Sequence, residues 1–397
     1  MTDLGFDADR LRRLDAHLAG YVDDGRLTGW QLLVGRHGQV AHASTYGLAD
    51  VEAGRPVSED TLWRIYSMTK PITSLAAMML WEEGAFELTD ELSRFLPAFA
   101  DVQVFDKGSA TKQFLVPPVE PIRLWHLLTH TSGLTYGFMQ LHPVDAAYRA
   151  AGFDFGVPNG FDLAAACDGW AALPLRFQPG SAWGYGVSSD VLGRVVEVVS
   201  GKPLDVFVQE RILDPLGMSD TCWWTEDSGR LAGLYAAWEG KTVRYDAFGA
   251  SALHKPTMLS GGGGLISTAA DYWRVCQLLL GRGEVDGMRL LAPRTIDLMT
   301  RNHLPGGADL SAVNSGGFAE TSLDGVGFGL GFATVMEPGP SASSVGEYYW
   351  GGLASTAFWV DPATGVSVVF MTQLMPSSTY PIRSQLRQLV YSALTDP

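Results

Sequence analysis

The segment Ser67-Met68-Thr69-Lys70-Pro71 places a lysine three residues after a serine and directly before a proline. Residues three apart on a helix share a face, so the amine of Lys70 would lie one turn from the hydroxyl of Ser67. A serine hydroxyl is a poor nucleophile until a neighbour accepts its proton, and a lysine whose pKa is lowered by burial can assist. Pro71 lacks an N–H and fits the first turn of a helix, which would set Ser67 at the positive end of the helix dipole. The segment therefore predicts a serine nucleophile at a helix start, although S-x-x-K also arises by chance on surface helices.

Two further motifs lie far along the chain. One runs from His126 to Leu134 (HLLTHTSGL) and the other from Ser260 to Thr268 (SGGGGLIST). Together with the S-x-x-K segment they resemble, in order and spacing, the serine β-lactamase and penicillin-binding-protein superfamily, especially its class C branch. The resemblance extends from about residue 8 to residue 393. It implies an α/β (α+β) fold of the β-lactamase/transpeptidase-like type, in which helices flank an antiparallel sheet and a mainly helical domain adjoins it across the active site.

This resemblance implies that Ser67 is the acylated nucleophile and that Lys70 is its partner. The second family motif, Tyr-x-Asn, is matched by Tyr185-Gly186-Val187. Tyr185 keeps the phenol that can serve as general base during acylation and as general acid to the leaving group. Val187 stands in place of the asparagine, and its side chain cannot hydrogen-bond the amide of a penicillin-like substrate.

The third family motif, Lys-Thr-Gly, is matched best by Trp350-Gly351-Gly352. Trp350 removes the cation that would bind the carboxylate of a β-lactam and offers an indole N–H and an apolar wall instead. The Trp-Gly-Gly replacement resembles the β-lactamase-like esterases called family VIII carboxylesterases. It implies substrate contacts by Trp350, Gly351, Gly352 and Val187, and an oxyanion hole formed by the backbone N–H groups of Ser67 and Leu353.

The hydrolase signature G-x-S-x-G is absent from the sequence, which excludes the nucleophile elbow of the α/β-hydrolases. An esterase must therefore depend on Ser67. We expect a serine carboxylesterase that hydrolyses short- to medium-chain carboxylic esters through an acyl-enzyme on this residue. Four alternatives remain open: a β-lactamase or D-Ala-D-Ala peptidase, an acyltransferase resembling the statin side-chain transferases of the superfamily, an amide or oligomer hydrolase on the same scaffold, and, least favoured, a non-catalytic binding module.

Both ends of the chain combine a hairpin pattern with an amphipathic helix, which predicts one antiparallel sheet built from both termini. We therefore expect residues 1–85 and 251–397 to form an α/β domain and residues 86–250 to form a mainly helical domain, with the active site between them. The predicted terminal elements are a helix around residues 11–21, strands at 30–34 and 39–42, strands at 357–360 and 366–371, and a helix around 382–393.

Charge and composition exclude several classes of partner. The chain has 28 Lys and Arg against 43 Asp and Glu, a net charge of −15, which argues against binding to nucleic acid. Apolar stretches such as 75–81 are too short to span a membrane, and no signal-peptide pattern opens the sequence. Cys167, Cys222 and Cys276 are widely separated and odd in number, so we expect reduced core residues. These features favour a cytoplasmic protein that binds a small-molecule ester, and they leave the oligomeric state open.

A histidine pair and a glycine run could belong to a zinc site and a phosphate-binding loop, but each lacks residues that such a site needs. His126 and His130 have a spacing that can bind zinc on a helix, but no third ligand accompanies them. The glycine run 261–264 lacks the Lys-Ser/Thr that follows in a P-loop, and we interpret it as a turn where backbone passes close beneath the site. We therefore expect no metal and no organic cofactor. Tyr136, which follows the first histidine motif, is a candidate wall of the acyl pocket.

Overall fold

Both ends of the chain contribute strands to one antiparallel sheet in the computed structural model, which describes residues 4–245, 248, 250–314, 323–339 and 342–395. The strands of this sheet are β1 (Gly29–Arg36), β2 (Gln39–Asp50), β3 (Arg55–Pro56), β12 (Val326–Phe328), β13 (Ala333–Val335), β14 (Tyr348–Gly351), β15 (Ala357–Asp361) and β16 (Val366–Met371). Within these described ranges the order is β12-β13-β14-β15-β16-β1-β2-β3, so the first strand of the chain pairs with the last long one. The two predicted terminal hairpins and the sheet that joins them are confirmed.

The remaining regular elements precede, follow or lie between these strands. The helices are α1 (Ala8–Asp23), α2 (Thr69–Glu82), α3 (Leu124–Leu128), α4 (Pro143–Ala150), α5 (Leu163–Ala171), α6 (Ser188–Ser200), α7 (Leu204–Val208), α8 (Asp214–Leu216), α9 (Ala269–Leu280), α10 (Pro293–Thr300), α11 (Leu310–Val313) and α12 (Ile382–Ser392). The shorter strands are β4 (Trp63–Arg64), β5 (Val104–Ser109), β6 (Lys112–Val116), β7 (Tyr235–Trp238), β8 (Lys241–Arg244), β9 (Ile266–Ser267), β10 (Glu284–Val285), β11 (Met288–Arg289) and β17 (Leu374–Met375).

One face of the sheet is covered by the two terminal helices. Leu14 of α1 and Leu386 of α12 are fully buried, and they belong to the same apolar cluster as Val368 and Phe370 of β16. The carboxylate of Asp7 caps α1 by accepting hydrogen bonds from the first-turn amides. The terminal helices therefore form as predicted, because their apolar stripes have the sheet to pack against.

The opposite face of the sheet packs against α9. Successive side chains of a strand point to opposite faces, so Val369 of β16 lies in a second apolar cluster together with Tyr272 of α9. The ring of Tyr272 lies 5.1 Å from the ring of Phe358 in β15. Gly35 allows the helix to approach closely, since a Cβ there would lie 2.6 Å from the Trp273 ring. Burial on both faces explains why the central strands are almost continuously apolar.

The middle of the chain supplies α3 to α8 and two hairpins, β5–β6 and β7–β8. Strand β7 pairs in parallel with β17, so residues of the predicted helical region also join the C-terminal part of the chain. The division into 1–85 with 251–397 and 86–250 stays a prediction. None of the helices in the described ranges combines the length and apolar character needed to cross a bilayer.

Replacing Leu386 by alanine tests the packing of the terminal helices on the sheet. The side chain is fully buried, so Leu386→Ala should lower the free energy of unfolding by about 2–5 kcal/mol, measured by urea denaturation. Gln388→Ala on the exposed face of the same helix is the matched control and should change it by less than about 0.5 kcal/mol. Equal effects of the two variants would contradict this packing.

Candidate active site

Ser67 lies in a short 3-10 turn, Tyr66–Met68, that leads directly into α2. The turn is anchored at its far end, because the carbonyl of Met68 accepts a hydrogen bond from the Tyr272 hydroxyl at 2.9 Å. Tyr66 has a φ of 42°, in the left-handed region that residues other than glycine rarely adopt. The predicted position of Ser67 at the start of a helix is therefore confirmed, and the backbone before it is held in an uncommon conformation.

The amine of Lys70 lies beside the Ser67 hydroxyl and is almost completely buried. Its Nζ is 3.1 Å from Ser67 Oγ, 3.1 Å from the Tyr136 hydroxyl and 2.7 Å from the carbonyl oxygen of Gly262. Burial lowers the pKa of Lys70 to about 7, against the opposing effect of the Asp190 carboxylate. A large fraction of this amine is therefore neutral near pH 7 and can accept a proton.

The glycine run after Ser260 supplies the carbonyl that Lys70 contacts. Asp190, at the start of α6, accepts hydrogen bonds from the Gly262 amide at 3.0 Å and from the Ser260 hydroxyl at 2.5 Å. On the other side, the Thr73 hydroxyl of α2 donates to the carbonyl of Gly261 at 2.7 Å. A Cβ on Gly262 would lie 2.5 Å from the Asp190 carboxylate. The expectation that backbone passes close beneath the site is confirmed.

Tyr185 lies between the proposed nucleophile and the third motif. Its phenol oxygen accepts a hydrogen bond from the Trp350 indole at 3.2 Å, and its side chain also hydrogen-bonds to Ser67. The Nζ of Lys70 lies 4.6 Å from the centroid of its ring. Burial raises the pKa of Tyr185, and these hydrogen bonds oppose the rise without cancelling it. Tyr185 therefore carries its proton near neutral pH.

The third motif meets the nucleophile turn through close backbone contacts. A Cβ on Gly352 would lie 2.3 Å from the carbonyl oxygen of Ile65, two residues before Ser67. The guanidinium of Arg383, from α12, packs under Gly351 and donates to the Gly352 carbonyl at 3.0 Å. Glycines at 351 and 352 thus permit the approach that brings the following residue, Leu353, next to the turn that carries Ser67.

A cavity of about 720 Å³ opens above these groups. Among the residues predicted to form the site, those that line the cavity are Ser67, Tyr136, Tyr185, Val187 and Leu353. The side chains of Lys70 and Trp350 are not among those that line the cavity. Lys70 hydrogen-bonds to Ser67, and the Trp350 indole hydrogen-bonds to Tyr185, so each contacts a residue that does line it. Gly351 and Gly352 are held against Arg383 and Ile65. The substrate contacts and the oxyanion hole inferred from the resemblance stay predictions.

His126 and His130 each contact other groups of the protein. His126 Nδ1 accepts a hydrogen bond from the Arg123 amide at 3.0 Å, which helps to begin α3. The ring of His130 lies 4.9 Å from the ring of Tyr185, and burial lowers its pKa well below the usual value. A neutral His130 therefore packs against the phenol of the site.

Sequence reasoning missed Asp190 and Arg383, and it did not foresee that Tyr136 contacts Lys70. Asp190 follows Tyr185 by five residues and is buried in the first turn of α6, directly before the apolar residues Val191 and Leu192, which is a weak signal for a functional acid. Arg383 lies on the buried side of α12, more than thirty residues from the motif it supports. Neither residue belongs to a recognisable motif, because each acts through contacts between distant segments.

The family model described as Beta-lactamase matches residues 14–392. The chain belongs to the beta-lactamase family. The match spans the S-x-x-K segment and the glycine run as well as both terminal hairpins, so the predicted family is confirmed. All three cysteines of the chain are free; Cys167 and Cys276 are buried as expected, whereas Cys222 is only partly buried.

Individual members of the family resemble this chain over nearly its whole length. Esterase EstB of Burkholderia gladioli is 32% identical in an alignment that covers 98% of this chain and 98% of that protein. The solved structure of EstCE1, a hydrolase with promiscuous acyltransferase activity, aligns with a TM-score of 0.82 at 29% identity, covering 96% of this chain and 98% of that one. Simvastatin synthase LovD from Aspergillus terreus gives a TM-score of 0.82 at 26% identity and 98% coverage of both chains. These likenesses confirm the predicted β-lactamase/transpeptidase-like fold.

Proposed function

We propose that this member of the beta-lactamase family is a serine carboxylesterase that hydrolyses short- to medium-chain esters through an acyl-enzyme on Ser67. The observation that carries the proposal is the 3.1 Å contact between Lys70 Nζ and Ser67 Oγ at the base of the cavity. A similarity of 32% identity to a whole protein named as an esterase supports the reaction class.

The first chemical step needs a group that removes the proton of Ser67. Lys70 fits this role, because its pKa of about 7 leaves much of the amine neutral and its Nζ already hydrogen-bonds to the serine. As Ser67 Oγ bonds to the ester carbonyl carbon, its proton passes to Lys70. The carbonyl oxygen becomes an oxyanion, which we assign to the backbone N–H groups of Ser67 and Leu353.

Departure of the alcohol needs a proton donor. Tyr185 keeps its proton because burial raises its pKa, and it lies within hydrogen-bond reach of Ser67. We assign it as the acid that protonates the leaving alkoxide, after which the Lys70 ammonium beside its ring restores the phenol. Water then attacks the acyl carbon and gives a proton to neutral Lys70, which returns it to Ser67 as the ester bond breaks.

The surroundings of the site favour uncharged esters. Trp350 occupies the place of a lysine in the third motif, and its indole N–H is directed to Tyr185. Val187 lines the cavity with an apolar side chain where the second motif has an amide. The carboxylate and the amide of a β-lactam would lose the partners that a lysine and an asparagine supply at these two positions of the motifs, which costs binding free energy.

Replacing Ser67 by alanine tests the nucleophile. Ser67→Ala should lower kcat for p-nitrophenyl butyrate by at least about a thousandfold, because the covalent route is removed. Ser109→Ala, on the exposed β5–β6 hairpin, is the control and should keep wild-type activity. Hydrolysis at the wild-type rate by Ser67→Ala would overturn the proposal.

The same assay separates an esterase from a β-lactamase. Wild-type protein should hydrolyse p-nitrophenyl butyrate with a kcat/KM at least about a hundredfold above that for nitrocefin. Nitrocefin carries a carboxylate, and Trp350 stands where the family motif has the lysine that would bind it. A higher kcat/KM for nitrocefin would favour the β-lactamase alternative.

The pH dependence tests Lys70 as the base. The kcat/KM for p-nitrophenyl butyrate should fall as pH decreases through about 7, because protonated Lys70 cannot accept the serine proton. The negative charge of Asp190 favours the ammonium, so Asp190→Asn should move this acidic limb to lower pH by roughly one unit. The amide oxygen of asparagine can still accept the hydrogen bond from the Gly262 amide.

Glu284→Gln, an exposed substitution in β10, is the charge-matched control and should leave the pH profile in place. An acidic limb that stays fixed or moves to higher pH in Asp190→Asn would contradict the role of Lys70 as the base.

An acyltransferase is the second candidate, because EstCE1 and LovD, with TM-scores of 0.82, are named for acyl transfer or synthesis. An alcohol would then replace water in the second step. Incubation of p-nitrophenyl butyrate with 1-butanol followed by gas chromatography should give butyric acid as the main product if the protein is an esterase. Butyl butyrate as the main product would establish transfer instead.

A further inference from the structure

Five aromatic rings that line the cavity form a continuous series of contacts, which we call the aromatic arch. Tyr136 stacks on Phe138 with centroids 4.8 Å apart, and Phe138 stacks on Phe155 at 4.9 Å with an interplanar angle of 3°. Phe155 meets Phe248 edge to face at 5.1 Å, and Phe248 stacks on Tyr66 at 6.1 Å. All five residues line the same cavity as Ser67.

The two ends of the aromatic arch lie next to Ser67 and Lys70. At one end, Tyr66 is the residue directly before Ser67. At the other end, the Tyr136 hydroxyl accepts a hydrogen bond from Lys70 Nζ at 3.1 Å. A group held by the rings is therefore close to the bond that Ser67 would attack.

The packing of the protein alone does not account for the outer part of the aromatic arch. Phe155 is 52% exposed, although it stacks almost parallel on Phe138. An apolar ring that stays half exposed at the wall of a cavity has apolar area left to bury against a ligand. The rings also come from distant parts of the chain, around residues 66, 136–155 and 248, so they converge on the cavity and not on one helix interface.

We propose that the aromatic arch binds a flat aromatic or fused-ring group of the ester, on either the acyl or the alcohol side. The inference rests on the proposed esterase function, since it names the substrate class of the same site. Aromatic rings associate best in offset-stacked or edge-to-face arrangements, and the arch offers both types of contact. A cavity of about 720 Å³ has the size of sites that hold drug-sized ligands, so it has room for a bicyclic group beside a short chain.

The experiment compares aromatic esters with a small ester in a ring-removing variant. The substrates are 2-naphthyl acetate for the alcohol side, methyl 2-naphthoate for the acyl side, and vinyl acetate as the small reference. Phe155→Leu keeps an apolar side chain at a half-exposed position, so its folding should be preserved. The ratio of kcat/KM for the naphthyl ester to that for vinyl acetate should fall about three- to tenfold, mainly through KM, on the side that the arch binds.

Phe114→Leu is the matched control, because Phe114 is 48% exposed on β6 and lies outside the cavity lining. Its ratio should equal that of the wild type. Phe138→Leu should lower the ratio as Phe155→Leu does, since Phe138 contacts two rings of the arch. An unchanged ratio for both naphthyl esters in Phe155→Leu and Phe138→Leu would overturn the proposal.

Binding of unreactive probes separates this proposal from the esterase function. The dissociation constants of 2-ethoxynaphthalene for the alcohol side and 2-acetonaphthone for the acyl side can be measured by calorimetry without any turnover. One of them should rise about three- to tenfold in Phe155→Leu. Such a rise in a protein that hydrolyses no ester would support the aromatic arch and reject the esterase, whereas ester hydrolysis with unchanged binding of both probes would do the reverse.

Discussion

The burial of the Lys70 amine is the constraint on which the rest of the site depends. A charged ammonium with 1% of the residue exposed is costly in an apolar interior, and burial accordingly lowers its pKa to about 7. The structure meets this constraint with three oxygen partners, one each from Ser67, Tyr136 and Gly262. These partners let the amine exist in either protonation state, which is the property that a base for Ser67 requires.

The oxygen partners of Lys70 must be held in place, and this requirement determines how the backbone packs around α2. Two hydrogen bonds orient the carbonyl of Gly262 toward Lys70. Asp190 accepts one from the N–H of Gly262, and Thr73 donates the other to the carbonyl of Gly261. Side chains at 261 and 262 would collide with α6 and its carboxylate, so glycine is required by the close approach. The carboxylate of Asp190 also offsets part of the cost of a buried cation, which links the start of α6 to the protonation of a residue on α2.

The sequence was informative where chemistry or periodicity is local. Alternation and helical spacing predicted the terminal hairpins and helices, and the three-residue spacing of Ser67 and Lys70 predicted their shared face. The Tyr-x-Asn motif points to Tyr185. The roles of Asp190 and Arg383 could not be predicted, because each depends on which loop lies against a helix in the folded chain. The resemblance implies that Trp350 walls the pocket, but its indole N–H donates a hydrogen bond to Tyr185 and its side chain is not among those that line the cavity. The position of the indole depends on this tertiary contact, which the sequence does not show.

The exchange of a cation for an indole in the third motif has a consequence for Tyr185. A lysine ammonium beside the phenol would stabilise a phenolate, whereas the neutral N–H of Trp350 donates one hydrogen bond and adds no charge. The positive charge of Arg383 remains nearby, but its guanidinium is engaged by the carbonyls of Gly352 and Thr356, and burial lowers its pKa to about 9. Desolvation therefore dominates, and Tyr185 keeps its proton. In the mechanism we propose, Lys70 is the base and Tyr185 is the acid. The substitution that leaves the phenol without a neighbouring lysine ammonium also removes the cation that would bind an anionic substrate.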